Sequence, residues 1–203
     1  MNIFVLDENP KIAAQMHCDK HVCKMIIEHT QMLAAAYYHT LGITRKKEIA
    51  ENQKVVNIVF SGFPRKHEDG SDHPYALSHV NHPCTIWTRA SIQNWNWLLE
   101  CTKELCSEFE KRYKKPHSIA AILDWMESNK PRLSSIRLTA FATAMPDCYK
   151  TYPTTEAYKR YYAYKTSYMQ VKWAHSEMPD WFTSELIESS LTEYTNFNLE
   201  LAS

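Results

Sequence analysis

The chain has 203 residues, enough to bury one sizeable core. Its 23 basic and 23 acidic side chains cancel, so no strong overall field draws it to nucleic acid, and any grip on a phosphate backbone needs a local basic patch. Six cysteines without a CxxC pair, no signal-peptide pattern and no apolar run of membrane length point away from secretion and membranes, towards free thiols in a reducing cytoplasm.

Three glycines against six tryptophans and twelve tyrosines predict helices packed through aromatic rings. The expected fold is mainly α: a single domain over 1–203, a bundle of four to five helices with at most a small strand pair. Residues 2–6 read as a buried extended segment. Asn9 caps and Pro10 opens a long helix over residues 10–38. Residues 44–79 lose periodicity and read as a loop or hairpin insertion. A second long helix runs from the His82-Pro83 start to about Tyr113, ending in a basic turn that suits the helix dipole. Residues 117–128 form a third helix, 132–149 a traverse or broken helix, and 154–173 a last long helix. Residues 183–203 read as a C-terminal tail.

On the first long helix, at about 100° per residue, His17, His21, Lys24, Glu28 and Gln31 share one stripe. The opposite arc carries Ala14, Cys18, Val22, Met25, Ile26, Met32 and Leu33, a sufficient core face. A solvated face would alternate lysine and glutamate. Two imidazoles, an amine, a carboxylate and a carboxamide are instead what a polar pocket uses, or a buried hydrogen-bonded layer between helices.

Four constellations carry possible chemistry. His17 and His21, one turn apart, can present two imidazoles to a metal, but a third ligand has to come from Glu28, His79 or His82, and Lys20 and Lys24 oppose a cation. The expectation is metal-free and cofactor-free. Lys24, or the N-terminal amine, paired with Glu28 suits an amine nucleophile with a carboxylate acid/base; an ordinary i, i+4 salt bridge is the other reading of that pair. Tyr158, Tyr161, Tyr162, Tyr164 and Tyr168 alternate with Lys159, Arg160, Lys165 and Lys172, so Tyr158 and Tyr162 could stack on a base while Lys165 meets phosphate; helical spacing also suits core packing. Arg89 with Asn94 and the His79/His82 pair could clamp an anion, or Arg89 could serve a surface salt bridge. No P-loop, dinucleotide-binding glycine pattern or serine nucleophile elbow is present.

The opening Asn-Ile-Phe-Val-Leu-Asp and the run His17-Cys-Asp-Lys-His-Val-Cys-Lys-Met25 with Glu28 and Gln31 resemble a poorly characterised family of small helical bacteriophage proteins. Further matching pieces are His82-Pro83 with Trp87 and Arg89, Asn94 with Trp97-Leu98, Ala144-Met-Pro-Asp147, Ala157-Tyr158 with Tyr161-Tyr162, and Pro179-Asp-Trp-Phe182. That family is distantly similar to phage pyrimidine-dimer DNA glycosylases. The resemblance implies a compact all-α glycosylase/lyase that attacks with its N-terminal amine, uses a helix glutamate and works in the host cytoplasm.

The expected function is therefore a nucleobase- or nucleotide-directed enzyme in DNA repair or base modification. Glu28, Lys24, His21 and His17 would be catalytic; Gln31, His82, Arg89, Asn94, Tyr158, Tyr162 and Lys165 would hold DNA or a nucleotide. The alternative is a non-catalytic protein that sequesters a small nucleotide such as a host immune signal, and net neutrality suits it.

Overall fold

A computed structural model of the chain describes residues 1–42, 47–49, 55–57, 78–133 and 137–202. The fold is mainly helical, as expected. Its α-helices are α1 (Pro10–Gln15), α2 (Asp19–Thr40), α3 (Pro83–Ala90), α4 (Ile92–Tyr113), α5 (Ala120–Ser128), α6 (Thr154–Tyr164) and α7 (Ser184–Ala202). Single 3-10 turns cover Asp147–Thr151 and Lys165–Ser167. A short antiparallel pair, β1 (Lys47–Ile49) with β2 (Val55–Asn57), falls in the expected hairpin insertion, most of which lies outside the described residues.

The two 22-residue helices α2 and α4 pack side by side; α1 and α5 lean on α4, α3 on α2 and on α4, and α6 pairs with α7. The core runs through Met25, Ile26, Met32 and Leu33 of α2, Trp95, Leu98 and Leu105 of α4, and Ile122 and Met126 of α5. The predicted core arc from Ala14 to Leu33 is fully buried. Ala34, Ala35 and Ala36 are also fully buried, so α2 is enclosed on all sides there and small side chains let its neighbours close in.

Both long helices read from the sequence are broken, each for a visible reason. Residues 10–38 break after Gln15, and Cys18 is extended (φ −66°, ψ 161°). The backbone groups freed there find distant partners. Trp173 Nε1 donates to the Met16 carbonyl (3.1 Å) and Cys18 N–H to the Tyr162 hydroxyl (2.8 Å). Asp19 N–H donates to the Lys172 carbonyl (2.9 Å). Arg112 donates to the carbonyls of Gln15 (3.1 Å) and His17 (2.8 Å). Because the ladder's losses are made good from α4 and residues 172–173, the break costs little. No local signal could announce it.

The second break is at Ser91, extended at φ −153° and ψ 157°, whose Oγ accepts from Asn94 N–H (3.0 Å) and so caps α4. The Asn94 amide takes up the Trp87 carbonyl that the broken ladder leaves (2.7 Å) and brackets Thr139 through its Oγ1 (2.7 Å) and backbone N–H (2.9 Å). The last long helix also stops early: α6 ends at Tyr164, passes through the 3-10 turn and gives way to an irregular segment. The expected tail is instead the 19-residue helix α7, packed on α6. Among the described residues no helix is long and apolar enough to cross a membrane.

Candidate functional site

The site is assembled where the N-terminal segment, α2 and the end of α6 meet. Residues 2–6 are buried, as expected, but not extended. Phe4 has φ +35°, in the left-handed region a bulky side chain avoids. Asn2 holds the bend: its Oδ1 accepts from the N–H of Ile3 (2.8 Å) and Phe4 (3.2 Å), and its Nδ2 donates to the Ala144 carbonyl (2.7 Å). The bend puts the Phe4 ring in the middle of the site. It stacks on His21 (centroids 4.7 Å apart) and on Tyr161 (5.9 Å), and meets Tyr158 and Tyr162 edge-on.

Glu28, on α2, joins two amines. One carboxylate oxygen lies 3.3 Å from Lys24 Nζ and the other 3.8 Å from the Met1 amine. The glutamate side chain is 14 % exposed while the lysine is 59 % exposed, so the carboxylate sits inside the rim and Lys24 on it. His82, half-buried before α3, accepts from Cys84 N–H through Nδ1 (3.2 Å). Burial lowers its pKa, helped by the N-terminal amine and His79 and opposed by Glu28.

Lys165 enters from the other side. Only 8 % exposed, its Nζ donates to the hydroxyls of Tyr168 (2.8 Å) and Tyr161 (3.5 Å) and lies over the rings of Tyr161 (4.5 Å), Phe4 (5.0 Å) and Tyr168 (5.2 Å). Burial, then the charge of Lys24, lowers its pKa to about 8 despite the opposing pull of Glu28. About a tenth of this amine is neutral at pH 7, far more than of an ordinary lysine.

The two stripe histidines lie behind the amines. His17, outside the helices, donates Nδ1–H to the Ala13 carbonyl (2.7 Å), which leaves Nε2 as an acceptor with no partner among the described residues. Its ring is 6.3 Å from that of His21. Burial lowers the pKa of His17 to about 4 and of His21 to about 2, so both are neutral in the folded protein. Among the described residues no three His, Cys, Asp or Glu side chains gather as a metal site requires.

The structure thus brings His17, His21 and Lys165 around Phe4, and Lys24 and the Met1 amine around Glu28, with Gln31 one turn further along α2 and half-buried. Other expected site residues go elsewhere. Tyr158 and Tyr162 are fully buried, their hydroxyls bonded to the Ala142 carbonyl and to Cys18 N–H, so they are core columns without a face for a base. Arg89 donates to the Val80 carbonyl and ties down the turn before its own helix. Asn94 is the splint across the second break. Lys165 is tucked among rings rather than offered to a phosphate.

Sequence reasoning missed Phe4, Asn2 and Arg112. Arg112 was read within a basic helix end, yet its fully buried guanidinium joins Glu108 (2.9 Å) and Asp19 (3.2 Å) and holds the first helix break. The i, i+4 spacing of Glu108 and Arg112 was the available signal; nothing in the sequence turned that pair inward.

No family model, curated protein or solved structure matches the chain.

Proposed function

We propose that this protein is an enzyme that attacks a sugar-bound nucleobase through an amine, of the glycosylase/lyase kind, acting in DNA repair or base modification. One observation carries the reading: Glu28 stands within 3.8 Å of two amines, those of Met1 and Lys24, with the desolvated Lys165 in the same cluster. An amine that displaces a base at C1′ must be neutral to attack. The carboxylate beside it takes up and returns the protons that the addition and ring opening release. The sequence's resemblance to a phage family that is itself distantly similar to pyrimidine-dimer glycosylases is in keeping with the same chemistry.

In this reading Glu28 is the acid/base and Lys24 or the Met1 amine the nucleophile. His21 and His17 form a neutral, desolvated back wall, and His82 and Gln31 border the cleft. Neutral histidines suit the role because added positive charge there would compete with the developing iminium. Substrate stacking falls to Tyr168, 58 % exposed, and half-buried Tyr161.

Two assays test it together. Strand cleavage at dimer-containing or abasic sites in duplex DNA is the expected result, and no cleavage of any such duplex would overturn the reading. Native mass spectrometry of protein purified from cells addresses the rival reading. The balanced charge, 23 basic against 23 acidic residues, suits nucleotide capture. An intact retained nucleotide, never turned over, would replace the enzyme with a sequestering protein.

A further inference from the structure

We propose that Lys165 is the attacking amine of this site, with its Nζ forming the covalent bond to the sugar carbon while Phe4, Tyr161 and Tyr168 enclose and aim it. The inference rests on the amine-nucleophile reading above and departs from it in naming the nucleophile.

Three amines meet near Glu28, and their surroundings differ. Lys24 is 59 % exposed and paired with Glu28 at 3.3 Å, the setting of a charged, solvated ammonium. The Met1 amine also lies within ion-pair distance of that carboxylate. Lys165 is 8 % exposed and has no carboxylate at ion-pair distance among the described residues. Its partners are two phenol oxygens and three ring faces. A buried ammonium without an anion is costly, and folds keep such a group where its neutral form has a use. The lowered pKa, about 8, agrees with that setting.

The surrounding geometry serves an attack. Phe4 reaches the amine only because the backbone bends into φ +35° and Asn2 holds it there, a local strain of the kind found at functional sites. Tyr168, which accepts the hydrogen bond from Nζ at 2.8 Å, is itself 58 % exposed, so the amine sits one side chain behind the surface. A swing of that ring opens the path to it.

On an abasic deoxyribose the step balances without any added reagent. The Lys165 lone pair adds to the C1′ aldehyde carbon, and the C–O double bond gives its electron pair to oxygen. Both amine protons pass to that oxygen, the Tyr168 hydroxyl bonded to Nζ standing nearest to pass them. The oxygen leaves as water and an imine joins Nζ to C1′. Cyanoborohydride then delivers hydride to the imine carbon and fixes the bond as a secondary amine.

The test is to trap the wild-type protein with cyanoborohydride on an abasic-site duplex and, separately, on 2-deoxyribose 5-phosphate, and to map the adduct by tryptic digestion. Modification at Lys165 blocks cleavage there and gives an adduct-bearing peptide spanning 161–172, the expected result with either probe. Trapping should also rise with pH through a midpoint of about 8 and level off above it, as the amine loses its proton. An adduct on Met1 or Lys24 would overturn this inference and leave the enzyme reading standing. An adduct on Lys165 with the sugar phosphate but not the duplex would support the inference and overturn action on DNA. No adduct with either probe would overturn both.

Discussion

At the residue scale the candidate site holds the least favourable charge placement among its amines, that of Lys165. Lys165 is held charged-or-neutral in an environment that penalises its charge, and the sign of its pH dependence follows. Its folded pKa of about 8 lies below the ordinary 10.5, so the unfolded chain binds the proton more tightly. The penalty is full below pH 8 and fades as the pH rises towards 10.5. Replacing it by methionine, which keeps the stem and removes the charge, should therefore raise stability at pH 7 by roughly 1–2 kcal/mol, part of the cost being offset by the cation–π contacts. Urea unfolding at pH 7 and pH 10 checks this: the gain should shrink at the higher pH, and a loss of stability at pH 7 would contradict it. Arg112 is the opposite case. Its fully buried guanidinium satisfies Glu108, Asp19 and two broken-ladder carbonyls, so Arg112→Met should cost on the order of 3–5 kcal/mol in the same assay. The stripe of His21, Lys24 and Glu28 was legible in the sequence because helical spacing alone places those residues. Phe4 and Arg112 were not, because their roles come from a backbone bend and a packing partner more than ninety positions away in the chain.

At the scale of elements, the helical stretches from α1 to α6 were legible in their order, and their interruptions and α7 were not. Period-3.6 patterns continue across Met16–Cys18 and across Ser91, since the residues on both sides still bury apolar faces against the same neighbours. What breaks the helices is supplied from elsewhere: Arg112, Tyr162 and Trp173 at the first, and the Thr139 segment at the second. The polar notch of Ser91 and Asn94 was visible as a pattern, but spacing could not tell a ligand site from a splint. Splint is the structural answer, and it has a measurable consequence. Ser91→Ala removes one cap and should cost about 1 kcal/mol. Asn94→Ala leaves the Trp87 carbonyl and the Thr139 groups unpaired and should cost about 2–4 kcal/mol. If the two variants lost equal stability in chemical unfolding, the splint would be wrong. The tail was misread for a related reason: Leu186, Ile187 and Tyr194 pack on the core and Ser190, a polar residue, is buried with them, so its helical pattern is weak in sequence.

At the scale of the whole molecule, three neutral histidines sit in or beside the core. Burial lowers His17 to about 4, His29 to about 3 and His21 to about 2, against an ordinary 6.5. As the pH falls, the unfolded chain therefore takes up protons before the folded one does. Stability is intact above about pH 6.5 and declines on the acid side until the folded values are passed, by roughly 2 kcal/mol per ring at pH 5. Melting temperature should fall steeply between pH 6.5 and pH 5 and change little from pH 7 to pH 8; a flat profile down to pH 5 would contradict neutral burial. Balanced net charge limits long-range attraction to DNA, so the proposed activity requires recognition at close range. The central claim is that an amine beside Glu28 forms an imine with a sugar carbon. Its most direct test is single-turnover cyanoborohydride trapping on an abasic duplex, with wild type and Glu28→Gln compared at pH 7.5. The account predicts a one-to-one adduct with wild type and, with Glu28→Gln, trapping slower by about 10²-fold or more without loss of fold. No adduct with wild type, or equal rates for the two proteins, would contradict it.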